Sequence, residues 1–181
     1  MTDRAYDKSR LKSLIHYVIW AAGARPNFGA TKLYKIAWFA DARRFVLSGQ
    51  SITGAPYIRE KHGPIPRHGM AIREELVKDG AIQQWQDRQR DFSNWKFKAL
   101  VPPNVNAFTS EEKSVIDYWI KHIDEDHTAA SISEQSHNYG WEIARMGEVI
   151  PFHSLLAERV REPNDEELEW AKQAVKRIRL L

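Results

Sequence analysis

The chain has 181 residues, 43% hydrophobic and 28% charged, with 7 Trp, 6 Tyr and 7 Phe. That composition fits one globular domain and excludes disordered and membrane-spanning classes. The absence of cysteine excludes disulfide staples, thiol nucleophiles and thiolate metal sites. The net charge of +3 hides an asymmetry: residues 1–100 hold 18 Lys/Arg against 9 Asp/Glu, and residues 101–181 hold 9 against 15, or +9 and −6. A basic half can serve an acidic partner, or the two halves can neutralise each other in the fold.

The N-terminus MTDRAYDKSR lacks an apolar signal core, so the cytoplasm is the expected compartment and no membrane partner is expected. In SRLKSLIHYVIWAAG, Leu11, Leu14, Ile15, Val18, Ile19 and Ala22 recur at helical spacing. They predict an amphipathic helix with Ser9 as its cap and Gly23 as its stop. ATKLYKIAWFADARRFVLSG carries a wider stripe, Leu33, Ile36, Ala37, Ala40 and Leu47 flanked by Tyr34, Trp38 and Phe45. It predicts a largely buried central helix ending near Gly49.

Residues 51–66, SITGAPYIREKHGPIP, contain two glycines and three prolines, too many for a helix interior, and are expected to be extended chain and turn. A third helix over RHGMAIREELVKDG is expected to bury Met70, Ile72 or Ala71, Leu76 and Val77. AIQQWQ and NWKFKAL, the second alternating Trp95, Phe97 and Ala99 with Lys96 and Lys98, predict a hairpin near 81–101 with a basic outer face. After the linker PPNVNAF, TSEEKSVIDYWIKHI has Thr109 and Glu112 at capping-box spacing and an apolar stripe of Val115, Ile116, Trp119, Ile120 and Ile123. Thr128 is expected to cap a short helix that breaks near Tyr139 and Gly140. A further short helix in GEVIPFHSLLAERV and a last one in NDEELEWAKQAVKRIRLL complete the chain.

The expected fold is therefore mainly α, a single compact helical domain of about six to eight helices with a small β-hairpin. Residues 1–150 form the domain. Residues 151–181 form a C-terminal helical extension that packs on it or contacts a partner.

Three segments in this order, TKLYKIAWFADARRFVLSGQSI, EKHGPIP and ISEQSHNYGW, resemble the SocA-like antitoxin family, or Panacea domain. The likeness spans roughly residues 10–145. It implies a helical domain of bacterial and phage toxin–antitoxin pairs that neutralises a cognate toxin by protein–protein contact, some members acting as adaptors that present the toxin to a protease. The shared positions fall on Lys32, Leu33, Lys35, Lys61, Gly63, Pro64, His137 and Trp141. His62 stands where the family commonly has an aromatic residue before Gly-Pro.

The residues themselves allow several readings. Pro64 and Pro66 restrict Gly63 and Ile65, making a stiff corner that holds Lys61 and His62 at a fixed angle. Such a corner is either structural only or also a preorganised contact surface. His122 and His127, with Asp124 and Asp126 between them, read as a cation site or as a solvated interhelix turn. His137, three residues after Glu134, reads as a general base or as an anchor packed on Trp141. Ser131, Ser133 and Ser136 lack the glycine-flanked elbow of a serine hydrolase, and no phosphate-binding glycine motif occurs. Trp20, Trp38, Trp95, Trp119 and Trp141 read as core, whereas Trp85 and Trp95 beside Arg88, Arg90, Lys96 and Lys98 also suit the wing of a winged-helix DNA reader.

The reading that follows is a non-enzymatic antitoxin-like protein without metal or cofactor. Its partner surface is expected at Lys32, Lys35, Lys61, His62, Gly63, Pro64, His137 and Trp141. A DNA-binding regulator ranks second and a His-dependent enzyme third. The apolar helix faces leave a homodimer open.

Overall fold

A computed structural model of the chain describes residues 3–89, 92–157 and 168–169. The architecture is mainly α, with seven α-helices and two small antiparallel hairpins among the described residues. Helix α1 (Lys8–Ala22) starts at Asp7, whose carboxylate accepts from the Ser9 and Arg10 amides at 2.9 and 3.1 Å. Asp7, not Ser9, is thus the cap, since its side chain reaches two of the orphan N–H groups of the first turn. Helix α2 (Ala30–Ser48) ends on Gly49 at φ 77°, the left-handed stop its glycine allows.

Two two-residue strands, β1 (Tyr57–Ile58) and β2 (Ile65–Pro66), pair with Tyr57 opposite Pro66 and Ile58 opposite Ile65. Helix α3 (Gly69–Lys78) follows. The predicted hairpin forms as β3 (Ile82–Gln89) and β4 (Phe92–Ala99), with Gln84 opposite Phe97. Helix α4 (Ser110–Asp126) starts with the full reciprocal capping box of Thr109 and Glu112. Helices α5 (Ala129–Gln135), α6 (Tyr139–Ile143) and α7 (Ser154–Ala157) complete the described chain. The expected last helix over 164–181 lies outside the described residues apart from 168–169.

Helix α2 is the centre, with α1, α4, α5 and β2 packed against it. Leu33, Ile36, Ala37, Trp38, Ala40 and Phe45 on its surface are all at most 1% exposed. Phe152 stacks on Trp38 and Phe45 at 5.3 and 5.4 Å and meets Tyr57 edge-on at 5.7 Å, so the chain just beyond residue 150 packs on the core. Such aromatic pairs add to their area burial.

Four expected core positions are exposed. Leu47 lies in the last turn of α2, Trp20 on the outer side of α1, and Met70 and Val77 on α3 flank an inward face made of Ile72, Arg73 and Leu76. On α3, Arg73 takes a place that hydrophobic periodicity would reserve for an apolar side chain. No described helix is long and apolar enough to cross a membrane.

Candidate partner-binding site

Residues 59–64 form the tip between β1 and β2. The Gly63 amide donates to Glu60 O at 2.9 Å, closing a turn in which Gly63 has φ 89°. Only glycine takes that conformation without strain. The tip is fixed through three alternate carbonyls, each captured by a side chain from a different helix. Trp141 Nε1 on α6 donates to Glu60 O at 3.0 Å. Ser133 Oγ on α5 donates to His62 O at 2.7 Å. Lys35 Nζ on α2 donates to Pro64 O at 2.8 Å. Each such bond is worth about 1 kcal/mol, and an orphaned partner costs more.

Helix α2 also grips the start of this segment. The fully buried Asp41 carboxylate accepts from the Thr53 amide at 2.9 Å, Thr53 Oγ1 at 2.6 Å and Tyr57 OH at 2.8 Å. Burial pushes Asp41 up to about 6, against the pull of those hydrogen bonds. Burial alone lowers the Lys35 ammonium to about 7, with no carboxylate among the described residues acting to favour the charged form.

A basic and aromatic cluster lies beside the tip. His137 stacks on Trp141 with centroids 3.7 Å apart and planes 8° from parallel, and the Arg59 guanidinium lies 4.2 Å from the Trp141 ring. Arg59 is tied to the chain after α6: its amide donates to Glu148 O at 2.9 Å, and its side chain bonds Ala144 O. Burial and the neighbouring Lys35, Arg59 and His62 charges push His137 down, against an opposing pull from Glu134.

The eight expected residues therefore divide. Lys35, Gly63, Pro64 and Trp141 meet in one cradle, with Lys35, Gly63 and Pro64 buried. They shape the tip from beneath. Lys61 and His62 are exposed on it, and His137 is half-buried at its flank. Lys32 is elsewhere: only 2% exposed, it donates to Asp124 O at 3.3 Å and lies 3.8 Å from the Asp124 carboxylate, which also pairs with Arg25.

His137 and Glu134 share a backbone bond, and His137 Nε2 is buried without a partner. His122 Nδ1 lies 2.7 Å from Asp126 while Asp124 turns to Arg25 and Lys32, so the four-residue cation site is not assembled. No metal-ligating cluster occurs among the described residues. On the hairpin, Lys96 donates to Pro26 O and, at 3.0 Å, to Phe28 O, which removes it from the expected basic outer face.

Sequence reasoning missed Arg59 and the role of Ser133. Both act on backbone carbonyls far along the chain, and such bonds leave no periodic or motif signal.

The family model described as "Antitoxin SocA-like, Panacea domain" matches residues 33–142. The chain belongs to that family. The matched span runs from α2 through α6 and contains the whole cradle. In this Panacea domain the lysine, the Gly-Pro pair and the tryptophan have one joint physical role, which is to hold the 59–64 tip. Comparisons with curated proteins and with solved structures find no match.

Proposed function

We propose that this protein is an antitoxin that binds a cognate toxin protein and holds it inactive by masking its surface, without bond chemistry of its own. The observation that carries this reading is the family match over the cradle. What the cradle presents supports it. Lys61 and His62 project from the fixed tip. The chain anchored to Arg59 displays Tyr139, Ile143 and Met146 at 51%, 63% and 62% exposure. Exposed apolar side chains beside preorganised polar groups are the composition of a protein interface, and rigidity lowers the ordering cost of binding. The DNA-wing alternative is less well supported, because Lys96 is engaged by its own chain.

The test is co-expression with the product of the gene adjacent to its own. The wild type is expected to relieve that product's toxicity. Lys61→Glu combined with Ile143→Asp, at unchanged thermal stability, is expected to lose protection and co-purification. Full protection by the double variant, or specific DNA retention without toxin binding, overturns the proposal.

A further inference from the structure

The two strands of the hairpin differ in what covers them. Strand β4 packs on α1, and its Lys96 reaches the Phe28 carbonyl at 3.0 Å. Strand β3, eight residues long, has α3 beside it at its start, where the Ala81 amide donates to Leu76 O at 2.9 Å. Beyond that point Gln83, Trp85 and Gln86 are exposed, Trp85 at 44%.

The Leu100 amide donates to Ala81 O at 2.9 Å, and the register continues one to one from Ile82 opposite Ala99 to Gln89 opposite Phe92. Bonded and non-bonded pairs alternate along an antiparallel ladder. Gln84 therefore stands at a non-bonded position, and its amide and carbonyl turn away from β4 with no partner among the described residues. Gln86 has the same orientation. An edge of this kind is a template for a further strand, and folded proteins ordinarily blunt it with charge, proline or a bulge. Residues 83–86 carry none of the three: Gln83, Gln84, Trp85 and Gln86 are uncharged, and the pairing with β4 is unbroken.

The order of residues around Trp85 selects the strand that fits. About a two-fold axis through Trp85, an antiparallel copy places Gln84 opposite Gln86, so that the outward main-chain groups bond each other. The same register sets Trp85 against Trp85 and Gln83 against Asp87. Within residues 83–87 no like charges face each other, and an aromatic pair and an amide–carboxylate pair occupy the directly opposed positions that stabilise sheets. We propose that the open edge of β3 pairs with β3 of a second copy of this chain, joining two hairpins into a four-stranded antiparallel sheet centred on Trp85. The occupant follows from the strand's own self-complementarity and does not rest on the antitoxin reading. A dimer built this way carries two 59–64 tips.

Sedimentation velocity of the wild type between about 1 µM and 1 mM tests the pairing, with a dimerisation midpoint expected on the order of 10 µM, the strength of a small interface. Gln84→Pro removes an outward donor without touching the β4 ladder and is expected to weaken self-association at least tenfold. Trp85→Glu, which sets two carboxylates face to face across the axis, serves if the proline variant does not fold. Because the chain has no cysteine, Trp85→Cys reports the register. A non-bonded pair holds its Cα atoms about 4.5 Å apart, within disulfide reach, so mild oxidation is expected to give a covalent dimer. Gln83→Cys, offset from its mate by about 14 Å along the strand, is expected to cross-link at least tenfold more slowly. A wild type that stays monomeric at the highest concentration, or a folded Gln84→Pro or Trp85→Glu protein that associates as the wild type does, overturns the dimer. Equal cross-linking of the two cysteine variants overturns the register. A monomeric wild type whose β3 amides gain hydrogen-exchange protection only with a bound toxin would give the edge to a foreign strand, and it too overturns the second copy.

Discussion

Gly63 and Lys35 show how a single side chain, or its absence, sets the tip. A Cβ at Gly63 would lie 2.0 Å from Ser136 Oγ and 2.7 Å from Lys35 Nζ, on a backbone at φ 89°. Gly63→Ala is therefore expected to lose about 2–4 kcal/mol in urea denaturation. Adding Ser136→Gly should relieve much of the clash but leave the conformational cost of about 1–2 kcal/mol. Lys35 gives a pH signature. Its folded value near 7 lies below the ordinary 10.5, so the unfolded chain binds more protons between those values and stability rises with pH across them. Below pH 7 both states are protonated and the burial penalty is present in full. Lys35→Met should flatten the rise in stability between about pH 7 and 10; an unaltered slope would show that Lys35 is not the group responsible. Asp41 has the opposite sense. Raised to about 6 from 3.8, its contribution declines as pH climbs from about 4 through 6, and Asp41→Asn should remove that decline.

Elements differ in how plainly the sequence announces them. Helices α1, α2 and α4 repeat apolar residues over several turns, and the 82–99 hairpin alternates, so in each the period outweighs the exceptions. The pairing of β1 with β2 extends over two residues each and depends on contacts with α2 and α6, too short and too non-local for a periodic signal. Helix α3 was legible as a helix but not in its facing, because Arg73 points inward where a charged residue is expected to point out. The cradle was legible in part: Lys35, Gly63, Pro64 and Trp141 stood out by family likeness, whereas Ser133 is an ordinary serine until its carbonyl partner 71 residues away is known. Two substitutions separate elements that only support the fold from those that present the tip. Thr109→Ala breaks the α4 capping box and should cost about 1 kcal/mol with partner affinity unchanged. Trp141→Phe keeps a ring but leaves Glu60 O without its donor, at a cost of about 1–3 kcal/mol. It should also weaken partner binding in calorimetric titration, and equal affinities for the two variants would separate the tip from recognition.

Across the whole molecule, the opposed charges of the two halves meet inside the fold. Arg10 and Arg4 pair with the buried Glu112 at 2.7 and 3.3 Å, and Arg25 and Lys32 converge on Asp124. A share of the basic excess is therefore neutralised internally, which limits the field left to attract a polyanion. Toxin affinity measured between about 50 and 200 mM salt is expected to fall less than tenfold, whereas a nucleic-acid ligand held by six or more phosphate contacts would lose on the order of 10³. The capture of the Glu60, His62 and Pro64 carbonyls by α6, α5 and α2 has a practical consequence for anyone wishing to borrow the tip. A synthetic peptide of residues 57–66 lacks all three clasps and should be a poor competitor for the toxin. A chimaera that inherits the tip would have to inherit its three helices with it.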